Sequence, residues 1–249
     1  LGDAVMAAYS FQIDLNTSFT GEDSLDISLD AGNTTTNDLG IVEFDGNATG
    51  DSLTVDGVSY TFPLGEKMTV IVGDNTDGSA LFTTACTYAG PTNTLDDCGN
   101  VNAGITNGGA MAGASYDFGS GFTAAVGYAA GETDMATGLM SKETLDAYGV
   151  NASYTGDNFG VSVTYGLIET SSIDEDTYTA FNGYYSPEGF PSISVGYEIG
   201  EDGSVTDKTA DELTSFFVGL QFDELGPGTA GIAYGTKTPT VEKTDEQYM

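Results

Sequence analysis

YSFQIDLNTSF, residues 9–19, places large apolar side chains at Tyr9, Phe11, Ile13, Leu15 and Phe19, and polar ones at Ser10, Gln12, Asp14, Asn16 and Ser18. Successive side chains of an extended chain point to opposite faces, so this stretch is a strand with one apolar and one wet face. It is long for a soluble protein. A sheet packed on a protein core and a sheet wrapped in lipid show the same alternation, so function turns on what the apolar face touches.

The alternation recurs to the end of the chain, and no segment has the 3.6-residue periodicity of a helix. It marks strands at about 8–19, 24–31, 53–62, 68–73, 110–118, 122–129, 145–154, 159–166, 178–185, 190–197, 214–222 and 229–235. Their connections alternate in length. Short turns of Gly, Pro, Asn and Asp fall at TGED (20–23), PLGEK (63–67), GSG (119–121), TGDN (155–158), SPEG (186–189) and DELGPG (223–228). Long polar connections fall at 32–52, 74–109, 130–144, 167–177 and 198–213. Tight turns at one end and long loops at the other are the pattern of an outer-membrane barrel. The expected fold is therefore all-β, a transmembrane antiparallel β-barrel filling residues 1–249, with twelve strands visible.

The aromatics point the same way. Phe19, Phe62, Phe118, Phe122, Tyr154, Phe159, Tyr185, Phe190 and Phe222 abut short turns, while Tyr9, Tyr128, Tyr148, Tyr165, Tyr197, Phe216 and Tyr234 lie toward the long loops. Phe122/Tyr128, Tyr148/Tyr154, Phe159/Tyr165 and Phe216/Phe222 are six residues apart on one face, roughly 20 Å along a strand. Two girdles flanking an apolar band suit two membrane interfaces.

Strand parity extends the argument. The strand ending at Phe19 runs inward to a short turn, so at least one strand is expected before Leu1. The strand at 229–235 runs outward, and TKTPTVEKTDEQYM is expected to contain no return strand. A complete barrel of about sixteen strands fits this parity. The connection 74–109 is then the third extracellular loop, the one expected to fold inward and constrict the pore.

Composition excludes other classes. The chain has 38 Asp plus Glu against 5 Lys, with no Arg, His or Trp, for a net charge of −33. Nothing here could neutralise the phosphates of a nucleic acid. A solvated, self-repelling surface is one consequence of such charge, and an aqueous compartment preferring cations is another. Catalysis by an activated nucleophile lacks its usual base, and carboxylate pairs such as Asp96–Asp97 arise by chance at this abundance. Cys86 and Cys98 suggest a disulfide, with free thiols as the alternative, and zinc is disfavoured without His. DNTDG (74–78) lacks the spacing of a calcium loop. No cofactor is expected beyond Ca or Mg held loosely at acidic loops.

LNTSFTGEDSL with LDAGN (15–33), YTFPLGEKMTVIVG (60–73), ASYDFGSGFTAAVGY (114–128), VNASYTGDNFGVSVTYG (150–166), GYYSPEGFPSISVGY (183–197) and FFVGLQFDELGPGTAGIAYG (216–235) together resemble the OprB-type carbohydrate-selective porins, in particular their cyanobacterial branch. The resemblance implies a homotrimeric diffusion channel in the bacterial outer membrane, in contact with outer-membrane lipid and passing sugars or inorganic ions, iron included. It also implies an N-terminal surface-layer-homology domain, of which this chain shows no trace. Where that family places several Arg, this chain reads SLDISLDAGN. Asp14, Asn16, Asp26 and Asp30 share the wet face and are expected to line the pore, and Asp74, Asp77, Asp96 and Asp97 the constriction loop. A porin without a basic ladder should prefer cations over anions. The competing expectation is a secreted or cell-surface acidic β-rich adhesin, whose apolar face would pack on a second sheet.

Overall fold

The computed structural model describes residues 8–34, 38–39, 42–43, 46–90, 92–105, 109–131, 140, 145–171, 173–204, 212–236 and 246–248. Most of the connection expected at 130–144, about half of that at 198–213, and the start LGDAVMA lie outside these residues. The strands are β1 (Ser10–Thr17), β2 (Ser24–Gly32), β3 (Asp38–Leu39), β4 (Val42–Glu43), β5 (Thr54–Leu64), β6 (Met68–Asp74), β7 (Ala110–Gly119) and β8 (Phe122–Ala130). They continue as β9 (Asp146–Thr155), β10 (Phe159–Glu169), β11 (Glu175–Tyr185), β12 (Ser192–Glu201), β13 (Glu212–Leu225), β14 (Gly228–Thr236) and β15 (Glu246–Tyr248). Thirteen of them form one sheet in the order β1-β2-β5-β6-β7-β8-β9-β10-β11-β12-β13-β14-β15, while β3 and β4 pair separately. Every neighbouring pair is antiparallel.

All twelve expected strands are present; β1 is shorter than expected, β5 and β13 run on into their short turns, and several others extend toward the long loops. Toward the long loops the ladder runs on through Ile168↔Asp176, Glu169↔Glu175 and Thr177↔Glu201. Backbone pairing needs no apolar side chain, so the sheet continues where the alternation stops. β15 corrects the expectation that TKTPTVEKTDEQYM holds no return strand: Glu246, Gln247 and Tyr248 pair with Thr236, Gly235 and Tyr234. Three residues are too few to show a period of two.

Short turns are set by local chemistry. Gly21 and Gly65 hold φ of 87° and 77°, a region other residues enter only at a steric penalty. Beside Gly21, the Asp23 carboxylate accepts the Thr20 N–H at 2.7 Å and the hydroxyls of Thr20, Ser18 and Tyr60 at 2.6, 2.7 and 2.7 Å. The Thr20 hydroxyl, followed by those of Tyr60 and Ser18, holds this carboxyl far below the usual carboxylate range.

Directly paired residues share a face, so the register traces one face across the sheet. Asn16, Asp26, Ser59, Gly73, Met111, Ala129, Ala147, Ile168 and Asp176 form one such row. On the opposite face Val150, Val161 and Val195 are half exposed. On β10, β12 and β13 the polar parity is the buried one: Thr164, Ser194, Glu198 and Ser215 are each only 1 % exposed. This is the inverse of a water-soluble domain. The aromatic girdles form on the apolar face, with Phe122–Tyr154 and Tyr154–Phe159 centroids 4.6 and 5.4 Å apart beside the short turns. Toward the long loops the corresponding contacts are Tyr128–Tyr148 at 5.4 Å and Phe216–Tyr234 at 5.5 Å.

Candidate pore and its constriction loop

What buries the polar face is the connection between β6 and β7. From Thr83 to Ala89 it crosses the strands as an extended segment in which alternate N–H groups find a side chain on the wall. The N–H groups of Thr83, Ala85, Thr87 and Ala89 donate to Asn151 Oδ1 on β9, Ser162 Oγ on β10, Ser194 Oγ on β12 and Gln221 Oε1 on β13, at 2.9, 2.9, 2.9 and 3.2 Å. Asn151 Nδ2 returns a bond to the Thr83 carbonyl at 3.1 Å. The dimensions match: six residues of extended chain cover about 20 Å, and four strand spacings about 19 Å.

The connection then doubles back. Asn182 Nδ2 donates to the Cys98 carbonyl and Ser215 Oγ to the Gly99 carbonyl, both at 2.8 Å. Glu198 takes the N–H groups of Asn102 and Ala103 on Oε2, each at 2.9 Å, and Asn102 Nδ2 on Oε1 at 3.0 Å. The Cys86–Cys98 disulfide ties the two passes together. Main-chain groups that leave regular structure and become buried need partners, and here the wall's side chains supply them. Apolar contacts complete the packing: Tyr88, Leu95 and Cys98 meet Phe217 and Ala233, and the Tyr88 and Phe217 rings lie 5.4 Å apart.

Close approach also requires missing side chains. A Cβ on Gly196 would overlap the Cys98 carbonyl, and one on Gly166 would stand 2.8 Å from the Ala103 carbonyl. These positions lie on the loop-bearing face in strands whose other face carries Val, Ile and Tyr.

The structure separates the eight expected acidic and amide positions. Asn16 Nδ2 donates to Ser24 Oγ at 2.6 Å and also bonds Asp26, Ser24 Oγ donates to Asp26 at 2.7 Å, and Ser28 Oγ donates to Asp14 at 2.7 Å. Asp30 stands opposite Gln12 and Thr54 in the register. This ladder on β1 and β2 shares the loop-bearing face but lies away from the loop's wall contacts. Asp77, Asp96 and Asp97 come together around a hollow of about 220 Å³, with Ser79, Thr84 and Asn100. Desolvation raises the Asp77 carboxyl above its ordinary value. Asp74 does not join them: it ends β6, opposite Val58 and Ala110, on the face away from Asp26. Its place in the alternation of MTVIVGD, apolar at Val70 and Val72, gives that parity.

Among the described residues Lys67, in the turn between β5 and β6, is the one basic side chain. Among them, too, no three acidic or thiol side chains converge as metal ligands. The wall residues Asn151, Asn182, Ser194, Glu198, Ser215 and Gln221 were not foreseen. Asn151, Asn182, Glu198 and Gln221 carry a signal, a large amide or carboxylate on the wet parity, whereas Ser194 and Ser215 have nothing beyond that parity to mark them.

No family model matches this chain, and no curated protein does. Solved structures do. A double mutant of Rh. blastica porin aligns at TM-score 0.59 and 13% identity, over 97% of this chain and 78% of that one. A triple mutant of the same porin aligns at 0.57 and 12% over the same shares. The outer membrane channel DcaP of Acinetobacter baumannii aligns at 0.51 and 12%, over 96% and 82%. With an apolar face outward and an inward-laid loop, the chain has the fold of a bacterial porin β-barrel.

Proposed function

We propose that this protein is an outer-membrane porin through which ions and small hydrophilic solutes, sugars among them, diffuse passively. One observation carries the reading: the sheet is inside out, its apolar face half exposed and its polar face partly covered by the chain's own loop. A soluble domain has no use for that arrangement, whereas lipid outside and water inside satisfy both faces. The fold neighbours, an outer membrane channel among them, support the same reading.

Within this reading Asp14, Asn16, Asp26 and Asp30 line the water path, and the loop through Asp77, Asp96 and Asp97 narrows it. Carboxylates lie on both sides of the path and no Arg occurs in the chain, so cations concentrate and anions are depleted. Selectivity comes from charge and width, and the protein is not an enzyme. On this reading the assembly is a homotrimer in contact with outer-membrane lipid, Ca or Mg associates loosely with the acidic loops, and the OprB-type porins of cyanobacteria are the family we propose for it.

Single-channel recording in planar bilayers under a salt gradient tests this. The expected result is discrete openings with a cation-selective reversal potential that weakens as salt rises. Folded protein that opens no channels and stays dispersed without detergent overturns the reading and favours the cell-surface adhesin.

A further inference from the structure

Among the described residues Glu198 is the one wall carboxylate whose hydrogen-bond partners all come from the loop. It is 1 % exposed, in the middle of a strand otherwise lined on that face by Ser192, Ser194, Gly196 and Gly200. Its two oxygens take three N–H donors, all from Asn102 and Ala103. Among the described residues no basic side chain other than Lys67 exists, so these N–H groups answer the charge. A buried carboxylate without its donors is strongly disfavoured, whereas the same carboxylate facing water is not. Residues 101–103 and Glu198 therefore hold each other. Gly166 adds the steric half of the arrangement, since only a glycine there lets Ala103 reach the wall. By contrast, Asp14 and Asp26 are bonded by Ser28, Asn16 and Ser24 on β1 and β2 and would keep those partners whatever the loop does.

We propose that Glu198 is the positioning residue of the constriction. Its carboxylate pins residues 101–103 to the β12 wall, which sets the aperture and withholds its own charge from the water path. The inference rests on the porin reading for its consequence, but the pinning itself can be measured without any channel. It does not require Glu198 to touch a permeating ion.

The test uses the full chain folded in detergent or lipid, as wild type, E198Q, N102A and the double variant. Amide exchange reads the pin directly. In E198Q the Asn102 and Ala103 amides should exchange about tenfold faster, the factor that corresponds to losing one charge-assisted hydrogen bond, while the amides of β9 to β13 keep their protection. Bilayer recordings of the same proteins read the aperture: E198Q should change unit conductance and add partial closures. The effects of E198Q and N102A should be non-additive, because N102A removes one of the three bonds to the carboxylate that E198Q neutralises.

Unchanged exchange at Asn102 and Ala103 in folded E198Q overturns the proposal. So does a conductance change that adds independently to that of N102A, which would make Glu198 a charge in the path. If E198Q loosens the strands as well, N102A, which leaves the wall residue in place, decides through the same two amides. A wild type that loosens on E198Q yet never conducts upholds the pin and overturns the porin reading.

Discussion

The wall of β9 to β13 and the wall of β1 and β2 have the same alternation and opposite partners. On the first, Asn151, Ser162, Asn182, Ser194, Glu198, Ser215 and Gln221 turn their polar atoms to the main chain of the loop. On the second, Asp14, Asn16, Asp26 and Ser28 turn theirs to one another. A polar face can thus be a seat or a lining. The difference lies in residue type: hydroxyls, amides and glycines accept a backbone laid on top of them, whereas a run of carboxylates repels its own charge and keeps water.

Four variants test this contrast, beginning with the face common to both walls. V163R puts a cation on the apolar face of β10, where Val163 is 38 % exposed. Urea unfolding in lipid should show a loss of about 2–4 kcal/mol, the penalty of a basic side chain near the bilayer midplane. A loss near zero would mean that this face meets water. G196V next drives a side chain into the Cys98 carbonyl. It should destabilise by about 1–3 kcal/mol through overpacking and also change conductance, because the loop must move.

On the bare wall the expectation reverses. D14N, D26N and D30N together should alter stability by no more than about 0.5 kcal/mol per site, while moving the reversal potential toward zero as lining charge is removed. A large stability loss without a change in selectivity would make this ladder a seat rather than a lining. The smallest effect belongs to Asp23, whose folded value is depressed by hydroxyl donors. Its stabilisation is fully present above the unfolded carboxylate value of about 4 and is lost as pH falls through the folded value. The wild-type advantage over D23N should therefore stay constant from neutral pH to about 4 and shrink below it.

Much of this was legible in the sequence because a strand with one apolar face imposes its own period. Tyr9 to Phe19 displays the apolar parity, and Gly21 and Gly65 mark the turns. Alternation gives out at strand ends: β12 continues through Gly200 to Glu201 by backbone pairing alone, and β15 is too short to alternate. Asp74 was grouped with the loop by sequence proximity, whereas register puts it on the other face. Glu198 was invisible for a different reason. Its parity is plain, but only the path of a loop some hundred positions earlier says whether a polar residue faces water or backbone.

In the proposed channel, neighbouring residues of one strand meet lipid and water in turn. The chain has no Trp, so single Trp probes report without background. Ile27 and Ser28 on β2 stand opposite Val58 and Gly57, on the apolar and the loop-bearing face respectively. Fluorescence of I27W and S28W, each in bilayers containing brominated lipid, measures this alternation directly. I27W should be quenched strongly and S28W little. Equal quenching of the two, or the reverse order, would contradict it.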